Sequence, residues 1–492
     1  MNAEIRRVFI VLACLFAALV GMGTYWLWRA PDLEARRDNP SLVVRQVTVK
    51  RGLIYASDGK TVLASNARRE VQGRTWFLRR YPRGGLAAHA VGYSTLGRSR
   101  AGLEESQNDF LTGSNGDFST ALDRLKDKVA GDVQQGNHLV TTLDATAQRE
   151  AIDALGTTCG AAVALEPSTG RVLVLASTPT YDPNDVESNF AGIEGIRGQC
   201  ADPAPLLDRA TQGLFIPGST FKLVTAAGAI DSGRYDEDST FLDRGYCLRY
   251  GKRVTNFSDQ DGPEVFGRVT LAESMEHSIN AVFCDIGTEL GPRLLIDYAK
   301  RFGFYQRPPL DLPSQERVAS GLYDDGRLYE PRVASDVDVG RLAFGQERLL
   351  ATPLQMAMVT AGIANGGLVM KPHLVDRILE PDGSILTTTK AEALGQAITP
   401  DTAAQLARMM ELVVESGTGT AAQIAGVRVA GKTGTAETGR DGQNDTWFVA
   451  FAPADSPRVA VAVALSDQAG TGGATAAPIA RRIIESLLRS SA

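Results

Sequence analysis

Three short groupings of hydroxyl, amide and amine side chains along the chain have the types and spacing for acyl-transfer chemistry. Ser219-Thr220-Phe221-Lys222 follows Pro217-Gly218 and opens a predicted helix through Ala229. Residues three apart share a helix face, so the Ser219 hydroxyl and the Lys222 amine can meet, a nucleophile beside a base. A helix N-terminus adds partial positive charge that favours a developing anion. Ser278-Ile279-Asn280 is the second grouping. Residues two apart point to nearly opposite sides of a helix, so these two side chains face one cleft only if the helix breaks there. Lys432-Thr433-Gly434-Thr435 stands near the end of a predicted strand. Gly434 lets another backbone approach, Lys432 offers charge to a carboxylate, and Thr433 and Thr435 offer hydroxyl donors.

Each grouping alone is cheap. Ser57 to Lys60 repeats the first pattern around an Asp58-Gly59 turn, and Ser106-Gln107-Asn108 repeats the second. Order and spacing carry the information: Ser-x-x-Lys, then Ser-x-Asn 59 residues on (219 to 278), then Lys-Thr-Gly a further 154 on (278 to 432). That set is shared by class A β-lactamases and penicillin-binding proteins.

Beyond these motifs the chain resembles the class B penicillin-binding proteins over nearly its whole length after residue 28, and most of all their actinobacterial penicillin-binding protein A branch. Arg51-Gly52-Leu53-Ile54, Arg80-Tyr81-Pro82 with His89 and Gly92, and Gly102-Leu103-Glu104 resemble that family's pedestal motifs. Tyr181-Asp182-Pro183-Asn184, Thr352-Pro353-Leu354-Gln355, Asn365-Gly366-Gly367, Gly417-Thr418-Gly419 and the run Gly431 to Glu437 resemble its transpeptidase domain. Tyr55-Ala56-Ser57-Asp58 departs from the family's more polar Asp-Arg pattern.

The resemblance implies a D,D-transpeptidase that cross-links peptidoglycan stem peptides ending in D-Ala-D-Ala and is acylated by β-lactams, in cell wall synthesis during division or elongation. Ser219 is then the nucleophile, Lys222 the base, Ser278 a proton relay and Asn280 a ligand of substrate and lysine. Lys432, Thr433, Gly434 and Thr435 hold the terminal carboxylate, and the backbone N–H groups of Ser219 and Thr435 receive the oxyanion. For Lys222 to serve at neutral pH, its pKa must fall by roughly 3 units from 10.4, about 4 kcal/mol, and both burial and the charge of Lys432 push that way. Two readings compete. A β-lactamase or D,D-carboxypeptidase hydrolyses the acyl-enzyme, and a class A β-lactamase needs Glu-x-x-Leu-Asn where Glu347 to Ala351 reads Glu-Arg-Leu-Leu-Ala. A non-enzymatic β-lactam sensor needs several membrane helices and a cytoplasmic output domain. About 115 residues between anchor and transpeptidase are too few for a glycosyltransferase, so the resemblance implies a polytopic glycan polymerase as partner.

The elements that must hold these residues follow from length and pattern. The chain has 492 residues, 43% hydrophobic and 22% charged, with 51 Lys plus Arg against 57 Asp plus Glu. These are globular proportions with no basic block to track a phosphate backbone, so nucleic acid is excluded as partner. Four histidines (His89, His138, His277, His373) and five cysteines fall at no metal-ligand spacing, and neither metal nor cofactor is expected. Val8 to Trp28 is uncharged and ends in Tyr25, Trp26 and Trp28. It is too long for a signal peptide and long enough to span a bilayer. Arg6 and Arg7 before it favour an inside N-terminus, leaving a single-pass protein with its bulk outside the cytoplasm.

The expected fold is α+β, divided into a cytoplasmic 1–7, an anchor 8–28, a small mixed pedestal 29–142 and a transpeptidase domain 143–492. The pedestal is to hold valine-rich Leu42 to Lys50 and a hairpin at Asp58-Gly59. The transpeptidase domain is to open with an Asp144-capped helix from Ala145 to Leu155 and a hairpin of Ala161 to Glu166 with Arg171 to Ala176. A helix-rich middle, read as an all-helical lobe, runs from about Leu206 to Val414. Strands near Val427 to Thr435, Thr446 to Phe451 and Val459 to Leu465 precede a last helix with Pro478 in its first turn. Strands at both ends of a helical middle imply one antiparallel sheet with flanking helices. Cys14 lies in the anchor. Of the three pairings open to the other cysteines, Cys159 with Cys200 and Cys247 with Cys284 close the shortest loops; buried free thiols are the alternative.

Overall fold

The computed structural model describes residues 2–34, 47–71, 73–96, 100–114, 133–259, 262–331, 336–440 and 442–490. Two compact units divide them: Met1–Lys50 with Asn66–Leu78 and Gly116–Gln135, and Arg51–Ser65 with Arg79–Asn115 and Gly136–Ala492. In the first unit α1 (Asn2–Glu34) is continuous helix. Its segment Ile5–Trp26 has 22 residues of mean hydropathy 2.3, none of it buried. At 1.5 Å per residue that segment covers roughly 33 Å, enough to cross the ~30 Å hydrocarbon core. Of the valine-rich stretch, positions 42–46 lie outside the described residues.

The second unit opens with a mixed sheet. β1 (Ile54–Tyr55) pairs antiparallel with the start of β2 (Val62–Val71), Ile54 opposite Ala64 and Tyr55 opposite Val62. Their turn is fixed by Asp58, whose Oδ1 accepts the N–H groups of Lys60 and Thr61 at 2.8 Å. β3 (His138–Thr141) lies parallel to β1 and antiparallel to the strand Val375–Leu379, which continues to Ile385–Thr388. Strands from before residue 142 and after residue 374 thus share one sheet. Beside it Glu104, with no solvent exposure, accepts from Arg51 Nη2 at 2.8 Å and from Arg79 Nε. Burial alone raises that carboxyl, but the guanidiniums of Arg79 and Arg51 outweigh it and hold the group below the usual range. The motifs Arg51-Gly52 and Gly102-Leu103-Glu104 meet in this ion pair.

α2 (Ala145–Leu155) is capped by Asp144, whose carboxylate accepts from Thr146 and Ala147 N–H. β4 (Gly160–Leu165) and β5 (Val172–Thr178) form the next hairpin, and α3 (Lys222–Asp231) follows a single 3-10 turn. The middle is not helical throughout. β6 (Thr240–Asp243) pairs with β9 (Gly267–Thr270), and β7 (Tyr246–Arg249) with β8 (Lys252–Thr255). The β7–β8 turn is Tyr250-Gly251 with φ of 47° and 77°, the positive-φ pair that a two-residue hairpin requires. Tyr-Gly is not the Asn-Gly signal of such turns, so the sequence pattern folds this hairpin into a helical lobe.

The middle also holds the helices α4 (Leu271–Glu276), α5 (Asn280–Arg301), α6 (Pro353–Ala364) and α7 (Pro400–Glu415), with short strands between them. α5 is interrupted at Gly291 (φ 76°), immediately before Pro292. β10 (Ala430–Arg440), β11 (Gln443–Ala452), β12 (Val459–Gln468) and α8 (Gly472–Ser490) close the chain. α8 begins earlier than expected, because Thr471 O already accepts the N–H groups of Ala474 and Thr475. Pro478 therefore sits in the second turn and not the first.

The central sheet runs β10-β11-β12-β4-β5, antiparallel throughout. Ala161, Val163, Trp447, Val449 and Ala462 face one core with Leu223 and Leu354. Ala162, Ala164, Phe448, Ala450 and Val463 face another with Ala151, Ile483 and Ile484 from α2 and α8. Side chains alternate between faces, and with both faces covered the strands read as unbroken Ala and Val runs. β10, which carries Lys432 to Thr435, is left on the edge, open to the turn that carries Ser219.

Candidate active site

Ser219 heads the 3-10 turn Gly218–Phe221 and is half-buried. That turn is pinned from three directions: Gly218 N–H donates to Gly345 O at 3.0 Å, Ile216 N–H to Asp445 Oδ2 at 3.0 Å, and Trp447 Nε1 to Ile216 O at 2.9 Å. β10 presses against it. A Cβ on Gly434 would stand 2.8 Å from Pro217 O and 3.0 Å from Thr220 Cγ2, so only glycine fits there. Among the described residues the Ser219 side chain makes no hydrogen bond, which leaves the hydroxyl free to meet an incoming group.

Lys222, three residues on, has no solvent exposure. Its Nζ lies 2.5 Å from Ser278 O, 2.8 Å from Asn280 Oδ1 and 3.3 Å from Ser278 Oγ. The amine is thus held by the Ser278–Asn280 segment, since a fully buried amine needs partners for its N–H groups and one hydroxyl does not suffice. Lys432, equally buried, donates to Ser278 Oγ at 2.7 Å. Burial first, and the charge of Lys432 second, push the Lys222 amine well below its ordinary value. Burial lowers Lys432 to about 7.

The helix does break at the second motif. Ser278 takes φ 58°, between the end of α4 at Glu276 and the start of α5 at Asn280. An L-residue in this region costs roughly 1–2 kcal/mol, and the turn that results aims Ser278 Oγ and Asn280 Oδ1 at the same amine. Asn280 Nδ2 donates to Thr255 O at 3.3 Å, which orients the amide with its oxygen toward Lys222.

The third motif lies inside β10, which continues five residues past Thr435 to Arg440, and not at a strand end. Its lysine also points inward. Lys432 donates to Ser278 Oγ, and half-exposed Thr435 and its neighbour Thr433 stand beside it on the strand. Thr433 Oγ1 is 2.6 Å from Thr418 Oγ1, and Thr435 Oγ1 accepts Gly472 N–H at 3.1 Å. Thr418, Asp445 and Phe283, whose ring lies 5.3 Å from Lys222 Nζ, complete the surroundings. Thr418 is legible only through the Gly-Thr-Gly resemblance, and Asp445 and Phe283 carry no signal of their own.

The repeats of the motifs are structural. Ser57 lies at the Asp58-Gly59 turn and donates its N–H to Leu143 O, and Asn108 Oδ1 accepts from Arg51. Cys159 is bonded to Cys200 and Cys247 to Cys284, with Cα separations of 5.8 and 6.3 Å; Cys14 is free and exposed. Among the described residues one grouping of metal-ligand atoms occurs, Cys247, Cys284 and Asp285, and its two sulfurs are consumed by the disulfide.

Residues 160–485 match the penicillin binding protein transpeptidase domain family, and residues 51–139 the penicillin binding protein A dimerisation domain. The chain is 35% identical to peptidoglycan D,D-transpeptidase PbpA of Mycolicibacterium smegmatis, over 99% of both chains. It is 33% identical to PbpA of Mycobacterium tuberculosis, again over 99% of both. The solved structure of penicillin-binding protein A from M. tuberculosis as a ceftriaxone acyl-enzyme superposes with a TM-score of 0.80 at 32% identity, covering 91% of this chain and 100% of that one. The imipenem acyl-enzyme of the same protein gives 0.78.

Proposed function

The chain belongs to the penicillin-binding protein transpeptidases, and on that premise we propose that it cross-links peptidoglycan through an acyl-enzyme on Ser219. The observation that carries the assignment is one hydroxyl, Ser278 Oγ, set between the amines of Lys222 and Lys432 beside the turn that bears Ser219. A neutral Lys222 keeps two N–H groups, which its two shortest contacts occupy, and one lone pair, which takes the Ser219 proton. Ser219 Oγ then attacks the penultimate carbonyl of a D-Ala-D-Ala stem. Negative charge grows on the carbonyl oxygen, toward the N–H groups of Ser219 and Thr435. Ser278 Oγ accepts from Lys432, so its own proton is free to pass to the departing D-alanine amine and be replaced from Lys222. An ester remains until an amine of a second stem peptide attacks, returns its proton along the same path and restores Ser219. Thr433 and Thr435 bind the donor's carboxylate, and Asn280 its amide. A β-lactam enters the same way and stays as the ester.

Hydrolysis is the weaker reading. Glu347 and Arg348 begin Glu-Arg-Leu-Leu-Ala without the asparagine that a deacylating water needs. A signalling role lacks its membrane helices among the described residues, where α1 alone has the length and apolarity to cross a bilayer. We assign 1–7 to the cytoplasm, 8–28 to the anchor, 29–142 to the pedestal and 143–492 to the transpeptidase domain, with everything after the anchor outside. Glycan strands come from a polytopic polymerase that meets the anchor and pedestal. Labelling with a fluorescent penicillin followed by peptide mapping tests the assignment: the adduct is expected on the peptide with Ser219, and an adduct elsewhere or none at all overturns it.

A further inference from the structure

Ser278 sits in the left-handed region with no helix to enforce it, so the elements on either side must hold it there. Before it, the ring of His277 stacks on Phe266, with centroids 4.9 Å apart and planes 15° from parallel. After it, Ala281 N–H, one of the unpaired donors of the α5 N-terminus, is capped from outside the helix by Asn256 Oδ1 at 2.9 Å. Both supports converge on one group. Asp243, at the end of β6 and 2% exposed, accepts Phe266 N–H at 2.8 Å on Oδ2 and Asn256 Nδ2 at 3.0 Å on both oxygens. Gly245 N–H donates to its Oδ1 at 2.9 Å. Asn256, 4% exposed, gives its Nδ2 also to Glu264 O at 3.0 Å. The residue before Asn256, Thr255, supplies the carbonyl that orients the Asn280 amide.

We infer that Asn256, held by Asp243, is a positioning residue of the acylation site, fixing the Ser278–Asn280 turn from both flanks so that its oxygens meet Lys222. The residue must be an amide. It accepts from the helix on one side and donates to a carboxylate on the other, which neither aspartate nor alanine does alone. Neither Asn256 nor Asp243 touches Lys222 or Ser219, so their effect passes through the turn.

The inference rests on Ser219 acylation as proposed above, and the experiment separates the two. Penicillin acylation of the full chain is followed under saturating conditions to split the maximal acylation rate from the non-covalent binding constant, with thermal midpoints measured alongside. If the parent protein is not labelled at Ser219, the proposed function fails. If it is labelled, Asn256→Ala and Asn256→Asp are each expected to lower the maximal rate by about tenfold or more while the binding constant changes by less than about twofold. Parent-like maximal rates in the folded variants, or a loss carried by the binding constant with the maximal rate intact, overturn the positioning role. Should Asn256→Ala fail to fold, Asn256→Asp, which keeps an acceptor toward Ala281 and sets a carboxylate against Asp243, decides alone.

Discussion

Lys432 Nζ donates to Ser278 Oγ at 2.7 Å from a position with no solvent exposure. The third motif is thereby tied to the second, and through Ser278 to Lys222, across 154 residues of sequence. Two buried amines around one hydroxyl cannot both stay charged at low cost. The proposed mechanism requires Lys222 neutral and Lys432 protonated, the first to take a proton and the second to polarise Ser278.

That state predicts a bell-shaped pH profile for penicillin acylation. The acid limb follows Lys222, whose amine is pushed well below its ordinary value by burial and then by Lys432. The alkaline limb begins near Lys432's value of about 7. Replacing Lys432 by Met should remove the alkaline limb and lower the maximum. The stability effect has a definite sign. Between about 7 and 10.5 the unfolded chain holds a proton on Lys432 that the folded chain lacks, so folding stability rises with pH through that window. The thermal midpoint of the parent relative to Lys432→Met should climb from pH 7 to 10; a constant difference contradicts the lowered amine.

The proposed nucleophile and base are separable by substitution. Ser219→Ala should abolish labelling and leave the thermal midpoint nearly unchanged, since a half-buried hydroxyl without a partner contributes little to stability. Lys222→Ala should slow acylation by orders of magnitude. Labelling of Ser219→Ala at Ser57 or Ser278 contradicts the assignment of the nucleophile, and an undiminished rate in Lys222→Ala removes it as base.

What the sequence yields about this site is uneven for physical reasons. The break at Ser278 is legible because helical periodicity forbids Ser278 and Asn280 from facing one cleft otherwise. The central sheet is legible because strands covered on both faces must be continuous Ala and Val runs, as Ala161–Leu165 and Val459–Leu465 are. The inward direction of Lys432 is not legible, since an edge strand's pattern does not say which face closes on a serine brought from elsewhere. Asp243 and Asn256 are single polar residues in a turn-rich stretch without period. Their meaning lies in contacts to residues up to 25 positions away. Tyr250-Gly251 hides its hairpin because the positive φ is taken by a tyrosine.

Glu104 gives a prediction about the pedestal. Glu104→Gln removes the charge from between Arg51 and Arg79 and leaves two guanidiniums without their shared partner, which costs about 3–5 kcal/mol when a buried pair is broken. The folded carboxyl is held below its ordinary value, so its contribution is present above the unfolded pKa and lost as pH falls through the folded one. Denaturant unfolding should therefore show a large gap between parent and variant at pH 7 that narrows below about pH 4. A gap that persists unchanged in acid means the loss comes from packing and not from charge.

The last prediction concerns Cys247 and Cys284, which join β7 to the second turn of α5. Cys284 is four residues past Asn280, and Arg249 on β7 reinforces the attachment by donating to Thr288 of α5 at 2.9 Å. The bridge closes a loop with a sequence separation of 37. In the chain-entropy account such a bridge stabilises by roughly 4 kcal/mol. Both flanks of the Ser278–Asn280 turn depend on the segment inside that loop, which includes Thr255, Asn256 and Phe266. Cys247→Ser with Cys284→Ser should thus lower the thermal midpoint and also slow penicillin acylation of the folded protein. Reductant should likewise slow acylation of the parent and leave the acylation rate of the variant unchanged. Cys159→Ser with Cys200→Ser is the control, expected to lose stability while the acylation rate of the folded protein stays within about twofold. Acylation indifferent to the loss of Cys247–Cys284 confines that bridge to stability and leaves the turn's alignment to the Asp243–Asn256 pair.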